Sequence, residues 1–209
     1  MASCEEGSNR VSPITHFFMG WTVANAAPSL TKRERACVTW ASVVPDVDGL
    51  GIIAEVLTRN TNHPLTWWSD YHHILGHNIG FAILVTFLAA VIAKQRLKVA
   101  ALVFISFHLH LLGDLIGARG PDGDQWPIPY LLPFSNLWQW VWSGQWALNA
   151  WPNLVITAAL MAISLFLAHR RGFSPLELFS TRADRVFVAA LRRRLSVKVP
   201  GCAKESGRP

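Results

Sequence analysis

Long apolar runs alternate with short polar connections along most of this chain. Runs of spanning or nearly spanning length cover residues 14–30, 74–93, 99–118 and 151–169. A weaker fifth run, 36–57, is interrupted by the segment PDVDG, where Pro45 and Gly49 are expected to break the helix. The pattern predicts an all-α fold, a polytopic membrane helix bundle with four to five transmembrane helices.

Composition agrees with a lipid environment. Of the 209 residues, 51% are hydrophobic and only 15% are charged, whereas roughly a quarter are charged in a soluble domain. We expect one membrane-embedded domain over 1–173 and a tail over 174–209. In the tail, Ser174 is a candidate N-cap and Pro175 a first helical residue. A basic amphipathic helix on the anionic cytoplasmic leaflet should follow, with disorder after about residue 200.

The basic residues predict an orientation in the membrane. They gather at 31–35, 94–98, 169–171 and 192–194. By the positive-inside rule these segments are cytoplasmic, so the N-terminus lies outside and the C-terminus in the cytoplasm of a multi-pass protein of the inner (plasma) membrane. The net charge of +6 is not spread over one globular face, and we expect membrane lipids rather than nucleic acid as partners.

Histidines and aspartates interrupt the apolar runs, where ionisable side chains are costly and usually mark function. The candidate metal ligands are His16, Asp46, Asp48, His72, His77, His110 and Asp114. Imidazole and carboxylate without thiolate is the ligand set of catalytic zinc, and it also suits manganese or iron. Three carboxylates approach charge balance with two divalent ions, so one or two ions are expected.

Spacing narrows this set. His110 and Asp114 are four residues apart and share one helical face, while His108 should point elsewhere. In the block YHHILGHN (71–78), His73 and His77 form the better helical pair. By depth, all the candidates can meet in the outer half of the membrane, around a water-filled pocket.

The outer connection 119–150 is rich in tryptophan. Indole rings prefer the headgroup zone, so an interfacial belt is the simpler interpretation. A lipid-facing platform for substrate is the alternative.

The ordered motifs TH, PDxD, HxxxxH, HxxxD and LLPFS over residues 13–136 resemble the membrane-bound metal-dependent hydrolase family (DUF457), which includes LexA-regulated inner-membrane proteins. The resemblance implies the seven ligands above and favours His72 over His73 as the partner of His77. The family block reads HRGxTHS, so His73, Gly76 and Asn78 depart from it. The pattern is also distantly similar to zinc-dependent phospholipase C and the single-strand nucleases.

These observations predict a metal-dependent hydrolase of a phosphoester or a lipid-linked ester, with zinc as the expected ion and manganese or iron as alternatives. Metal-activated water would be the nucleophile. Asp46, Asp48 and Asp114 are the predicted catalytic residues, as ligands with one of them free to act as general base. The candidate substrate contacts are His73, Arg119 and Asp122.

The alternative is a non-catalytic metal-binding membrane protein, such as a transporter or a sensor. A transporter should carry polar residues through to its inner side. The inner halves of the runs 74–93 and 151–169 have the sequences LVTFLAAVIA and LMAISLFLA and are almost wholly apolar. This favours the enzyme.

Overall fold

The computed structural model describes residues 13–120, 123 and 125–195, and this part of the chain is all-α, as predicted. The helices are α1 Pro13–Ala26, α2 Lys32–Ala41, α3 Gly51–Thr58, α4 Trp67–Tyr71, α5 Ile79–Ile92, α6 Arg96–Gly117, α7 Trp151–Arg171 and α8 Thr181–Leu195. Short 3₁₀ helices cover Val44–Leu50 and Pro175–Leu178. The first of them lies at the predicted interruption of the weak apolar run, which confirms the break at Pro45.

Two helices, α6 and α7, are long and apolar enough to cross a membrane. A third span results if α2 and the segment Val44–Thr58, which meet at a bend of 56°, count as one. The structure therefore supports two to three candidate spans among the described residues, fewer than the four to five predicted. The helices α1 and α5 have 14 residues each, about 21 Å at 1.5 Å per residue, against a hydrocarbon core of about 30 Å.

Helix α6 is the centre of the packing, in contact with α1, α2 and α5. Its buried face begins with Val99 and Val103, continues with Phe107 and ends with His110 and Asp114. The spacing of three and four residues keeps these side chains on one stripe. One helix face thus provides both the apolar core and, near its C-terminal end, a polar cluster.

Helices α1 and α2 approach closely at Gly20. A Cβ atom at this position would clash with the Ser42 hydroxyl and lie 2.5 Å from the Thr39 carbonyl oxygen. The Ser42 hydroxyl donates a hydrogen bond to the His16 carbonyl oxygen at 2.5 Å. The crossing therefore fixes the part of α1 that carries His16.

The chain divides into two compact units, Met1–Ser164 and Leu165–Pro209. In the second unit Ser174 caps the short helix Pro175–Leu178 by accepting from the Leu176 amide, as the sequence predicts. Asp184 accepts from both the amide and the hydroxyl of Ser174, at 2.7 and 2.6 Å. The predicted basic helix of the tail forms α8, whereas the segment after residue 200 lies outside the described residues.

Candidate metal centre

Asp48 links the 3₁₀ helix Val44–Leu50 to the histidine-rich block 71–78. Its Oδ2 accepts hydrogen bonds from the Gly76 amide at 2.9 Å and from His77 Nδ1 at 3.3 Å. Its Oδ1 lies 3.0 Å from His72 Nδ1. The side chain is 2% exposed, so one buried carboxylate orders the loop that follows α4.

His110 and Asp114 face each other across one turn of α6, as their spacing predicts. Their Nε2 and Oδ2 atoms are 2.9 Å apart, and both residues are buried. His108 points away, with its Nε2 at 2.9 Å from the Tyr130 hydroxyl. This confirms the choice of His110 over His108 as the partner of Asp114.

Four side chains converge into one group that could hold a metal ion: Asp46, His77, His110 and Asp114. One donor atom from each lies within 4.8 Å of all the others. Nε2 of His77 is 3.1 Å from Nε2 of His110 and 3.2 Å from Oδ2 of Asp114. The Asp46 Oδ1 is 3.6 Å from His110 Nε2 and 3.8 Å from His77 Nε2.

Hydrogen bonds on the far side of the two rings decide which nitrogen faces the group. Nδ1 of His77 faces the Asp48 carboxylate, and Nδ1 of His110 lies 2.9 Å from the Ser42 carbonyl oxygen. Because these oxygens can only accept, each Nδ1 donates, and each neutral ring directs the lone pair of its Nε2 toward the other. Two lone pairs and a carboxylate so close together require a cation between them, either a proton or a metal ion.

The cluster fits a metal ion on two further grounds. The buried Oδ2 of Asp114 has no hydrogen-bond partner among the described residues, although two ring nitrogens lie within 3.2 Å of it. Ligand atoms around a tetrahedral zinc ion, with bonds of about 2.0–2.1 Å, are about 3.3 Å apart. Five of the six donor separations, from 2.9 to 3.8 Å, surround that value, and all six lie within 4.8 Å.

Three of the predicted ligands lie around this group rather than in it. His16 Nε2 is 3.2 Å from Oδ1 of Asp114, the oxygen that faces away from the two ring nitrogens. Asp48 lies behind His77, and His72 lies behind Asp48. Direct metal binding by these three side chains remains a prediction, while their contacts orient the four converging residues.

The two histidines that open the block are held by aromatic rings. His72 stacks on Trp68 with ring centroids 3.8 Å apart. His73 stacks on His77 at 4.3 Å and meets the Trp126 ring edge-on at 4.6 Å. The block is not helical at His73, where φ is +66°, so the four-residue spacing of His73 and His77 does not act as a helical pair.

His73 is buried, and its Nδ1 has no hydrogen-bond partner among the described residues. Burial lowers the pKa of His73 well below its ordinary value, because the charged ring would lose its hydration. The ring is therefore neutral at pH 7. Its role as a substrate contact stays a prediction.

The two other predicted substrate contacts lie beyond α6. The main chain of Arg119 donates to the Trp146 carbonyl oxygen and accepts from the Leu148 amide, both at 3.1 Å. Asp122 lies outside the described residues. Substrate binding by Arg119 and Asp122 stays a prediction.

Two residues of the site, Ser42 and Gly76, could not be predicted as functional from the sequence, because one acts through its main chain and the other through its lack of a side chain. Ser42 orients His110 with its carbonyl oxygen, which leaves no signature in the sequence. Gly76 allows the histidine-rich block to pack closely against the 3₁₀ helix Val44–Leu50, because a Cβ at this position would clash with the Pro45 carbonyl oxygen. Gly76 was visible only as a departure from the family block.

The family model for the YdjM inner membrane protein matches residues 11–190 of this chain. The chain therefore belongs to this family of inner-membrane proteins. The match confirms the family resemblance carried by the sequence motifs. Among curated proteins and solved structures, nothing matches it.

Proposed function

We propose that this protein is a metal-dependent hydrolase of the inner membrane that cleaves a phosphoester or a lipid-linked ester. The observation that carries the proposal is the convergence of His77, His110, Asp114 and Asp46 on one buried point. Buried carboxylates and imidazoles without a compensating cation are costly. Membership of the YdjM family supports the proposal.

His77, His110 and Asp114 would hold the ion, with Asp46 as the fourth and most exposed donor. We propose zinc, because the set contains only nitrogen and oxygen atoms and four of them approach tetrahedral separations; manganese and iron remain the alternatives. The four donors form one group, which favours one ion. A second ion would have to displace the contact between Asp48 and His72.

The ion, when bound, lowers the pKa of a coordinated water to about 7 and polarises the oxygen of the scissile ester. Hydrolysis joins the water oxygen to phosphorus or to the acyl carbon, breaks the ester bond and passes a proton to the leaving alcohol. We assign proton transfer to Asp46 because its side chain is 26% exposed, against 2% for Asp48 and 5% for Asp114. Asp114 would contribute as a ligand of the ion, and Asp48 would position His77.

We further propose that α1 and α5 lie in the membrane beside the two to three longer spans, giving the four to five spans predicted from the sequence. The basic segments 31–35, 94–98 and 169–171 support a cytoplasmic C-terminus and an outer N-terminus. In this orientation the cluster lies toward the outer face.

A non-catalytic metal-binding protein is the second candidate. The observation that favours it is the burial of the donors, since His77 and His110 are completely buried. Structural metal sites are closed, whereas catalytic sites keep a position open for water and substrate. In this case Asp46 would be a permanent ligand.

Elemental analysis of detergent-purified protein tests metal binding. We expect bound divalent metal in the wild type, lost in His110→Ala. The matched control is His108→Ala, which removes a histidine from the same helix without touching the cluster. Absence of divalent metal from the wild type, or its retention in His110→Ala, would contradict both candidates.

Activity separates the two candidates. The probes are a chromogenic phosphodiester, a chromogenic carboxyl ester and long-chain phospholipids in mixed micelles. Hydrolysis by the wild type and His108→Ala but not by His110→Ala supports the enzyme. A metal-loaded wild type that cleaves none of the probes supports the binder.

A further inference from the structure

An apolar cavity of about 440 Å³ lies beside the histidine-rich block. Its walls come from three segments: Ile74, Leu75 and Asn78 of the block, Gly80, Phe81, Ile83 and Leu84 of α5, and residues 132–134 of the following connection. Binding pockets for small molecules have volumes of about 300–1,000 Å³ and mostly apolar walls. The cavity is therefore large enough for a ligand.

The cavity has a fixed wall because the connection 130–134 is hydrogen-bonded to the first turn of α5. The Ile79 amide donates to the Tyr130 carbonyl oxygen at 2.7 Å, and the Gly80 amide donates to the Leu132 carbonyl oxygen at 3.1 Å. A Cβ at Gly80 would clash with the Pro133 ring. The connection 130–134 and helix α5 are thus in direct contact at Gly80, which has no side chain.

The polar atoms of the one amide side chain in the wall are already used. Asn78 Nδ2 donates to the carbonyl oxygens of Ile74 and Leu75 at 2.8 and 2.9 Å. Its Oδ1 caps α5 by accepting from the Phe81 amide at 2.9 Å. The cavity consequently offers an apolar ligand many contacts and a polar ligand few hydrogen bonds.

The cavity and the metal centre share the block. His77 belongs to the four-donor group and Asn78 to the cavity wall, and consecutive Cα atoms are about 3.8 Å apart. A molecule seated in the cavity would therefore lie next to the segment that carries His77. On the lipid side, α5 continues from the cavity with exposed apolar residues, among them Phe87 and Leu88, as expected on the surface of an inner-membrane family protein.

We propose that this cavity receives an acyl chain of a membrane phospholipid whose phosphoester is the substrate of the metal centre. The proposal rests on the proposed hydrolase function and gives it a substrate class. In the reaction the water oxygen joins phosphorus, the phosphorus–oxygen bond of the ester breaks and the leaving alcohol takes a proton. Burial of the chain holds the ester at the cluster.

Photo-crosslinking tests the cavity independently of activity. The full chain is placed in nanodiscs of phosphatidylethanolamine and phosphatidylglycerol with a trace of phosphatidylglycerol that carries a diazirine in one acyl chain. We expect cross-links concentrated in residues 74–84 and 132–134. Equal labelling of every lipid-exposed helix would overturn the proposal, and so would labelling that leaves residues 74–84 and 132–134 unmodified.

A matched pair of substitutions on α5 sharpens the test. Leu84→Trp places an indole in the cavity and should lower cross-linking at 132–134 by about ten-fold. The indole excludes about two methylene groups of the acyl chain from the cavity, and the loss of their burial corresponds to about that factor in affinity. The control is Leu88→Trp. Leu88 is 54% exposed, close to the 49% of Leu84, but it does not line the cavity. An equal effect of the two substitutions would overturn the proposal.

The inference and the proposed function fail in different ways. If His110→Ala loses metal and hydrolysis but keeps the cross-links, the acyl-chain site stands by itself. If the wild type cleaves a soluble chromogenic phosphodiester but shows neither localised cross-links nor hydrolysis of long-chain phospholipid, the hydrolase stands and the lipid substrate is wrong.

Discussion

Replacing Asp48 by asparagine tests how the metal centre is built. The carboxylate accepts from the Gly76 amide and from the rings of His77 and His72. Neither of its oxygens belongs to the four-donor group. The sequence predicts Asp48 as a ligand, whereas its contacts assign it to the orientation of His77, and Asp48→Asn separates these roles.

The magnitude follows from what the substitution removes. Asparagine keeps the shape, and its oxygen can still accept from Gly76 and His77 while its amide group faces His72, whose ring can change tautomer and accept. The loss is then the negative charge opposite His77, which makes that imidazole a stronger ligand. Removing such a partner lowers metal affinity by about 10- to 100-fold, or about 1.4–2.7 kcal/mol.

Competition with a fluorescent zinc chelator in detergent measures this affinity. The control is Asp70→Asn, because Asp70 is an exposed carboxylate that accepts from the Thr66 hydroxyl at 2.6 Å. An affinity equal to that of the wild type would refute the orienting role. Loss of all metal at saturating zinc would show instead that Asp48 binds the ion directly.

Three further predictions test the surroundings of the site. Ser42→Ala removes the hydroxyl that donates to the His16 carbonyl oxygen but keeps the carbonyl that orients His110. We expect thermal unfolding to show a loss of about 1 kcal/mol in stability while the metal content stays unchanged, and loss of metal would contradict this. Gly20→Ala overpacks the crossing of α1 and α2 and should cost about 1–3 kcal/mol, whereas an unchanged melting temperature would argue against the tight crossing. Acidification should release the metal, because His77 and His110 bind it only when neutral; equilibrium dialysis across a pH series would show retention in acid if the histidines were not ligands.

The longest helices could be located from the sequence. The predicted runs 99–118 and 151–169 agree closely with α6 and α7, because a continuous apolar segment has few alternatives to a helix. The runs 14–30 and 74–93 were too long, since apolarity does not mark where backbone hydrogen bonding changes. Helix α1 ends at Ala26, before Pro28, and α5 begins only after its cap at Asn78.

Site residues were predictable where the backbone is regular. His110 and Asp114 are such a pair, because a four-residue spacing on one continuous helix defines a common face. His77 could not be placed in this way, since the block around it is irregular and depends on Asp48 from a distant segment. The Ser42 carbonyl oxygen is available in any residue, so no sequence pattern could have identified it.

The motif HRGxTHS, which carries the family resemblance, differs from residues 72–78 at His73, Gly76 and Asn78 among other positions, whereas the donor His77 matches it. Asn78 stands where the family has serine, and both residues are good N-caps, so the start of α5 is preserved. Gly76 stands where the family has threonine, and its missing side chain admits the Pro45 carbonyl oxygen. His73 replaces an arginine with a ring that stacks on His77. Because His77 and its partner Asp48 match the motifs, we expect these departures to change the surroundings of the metal centre rather than the residues that form it.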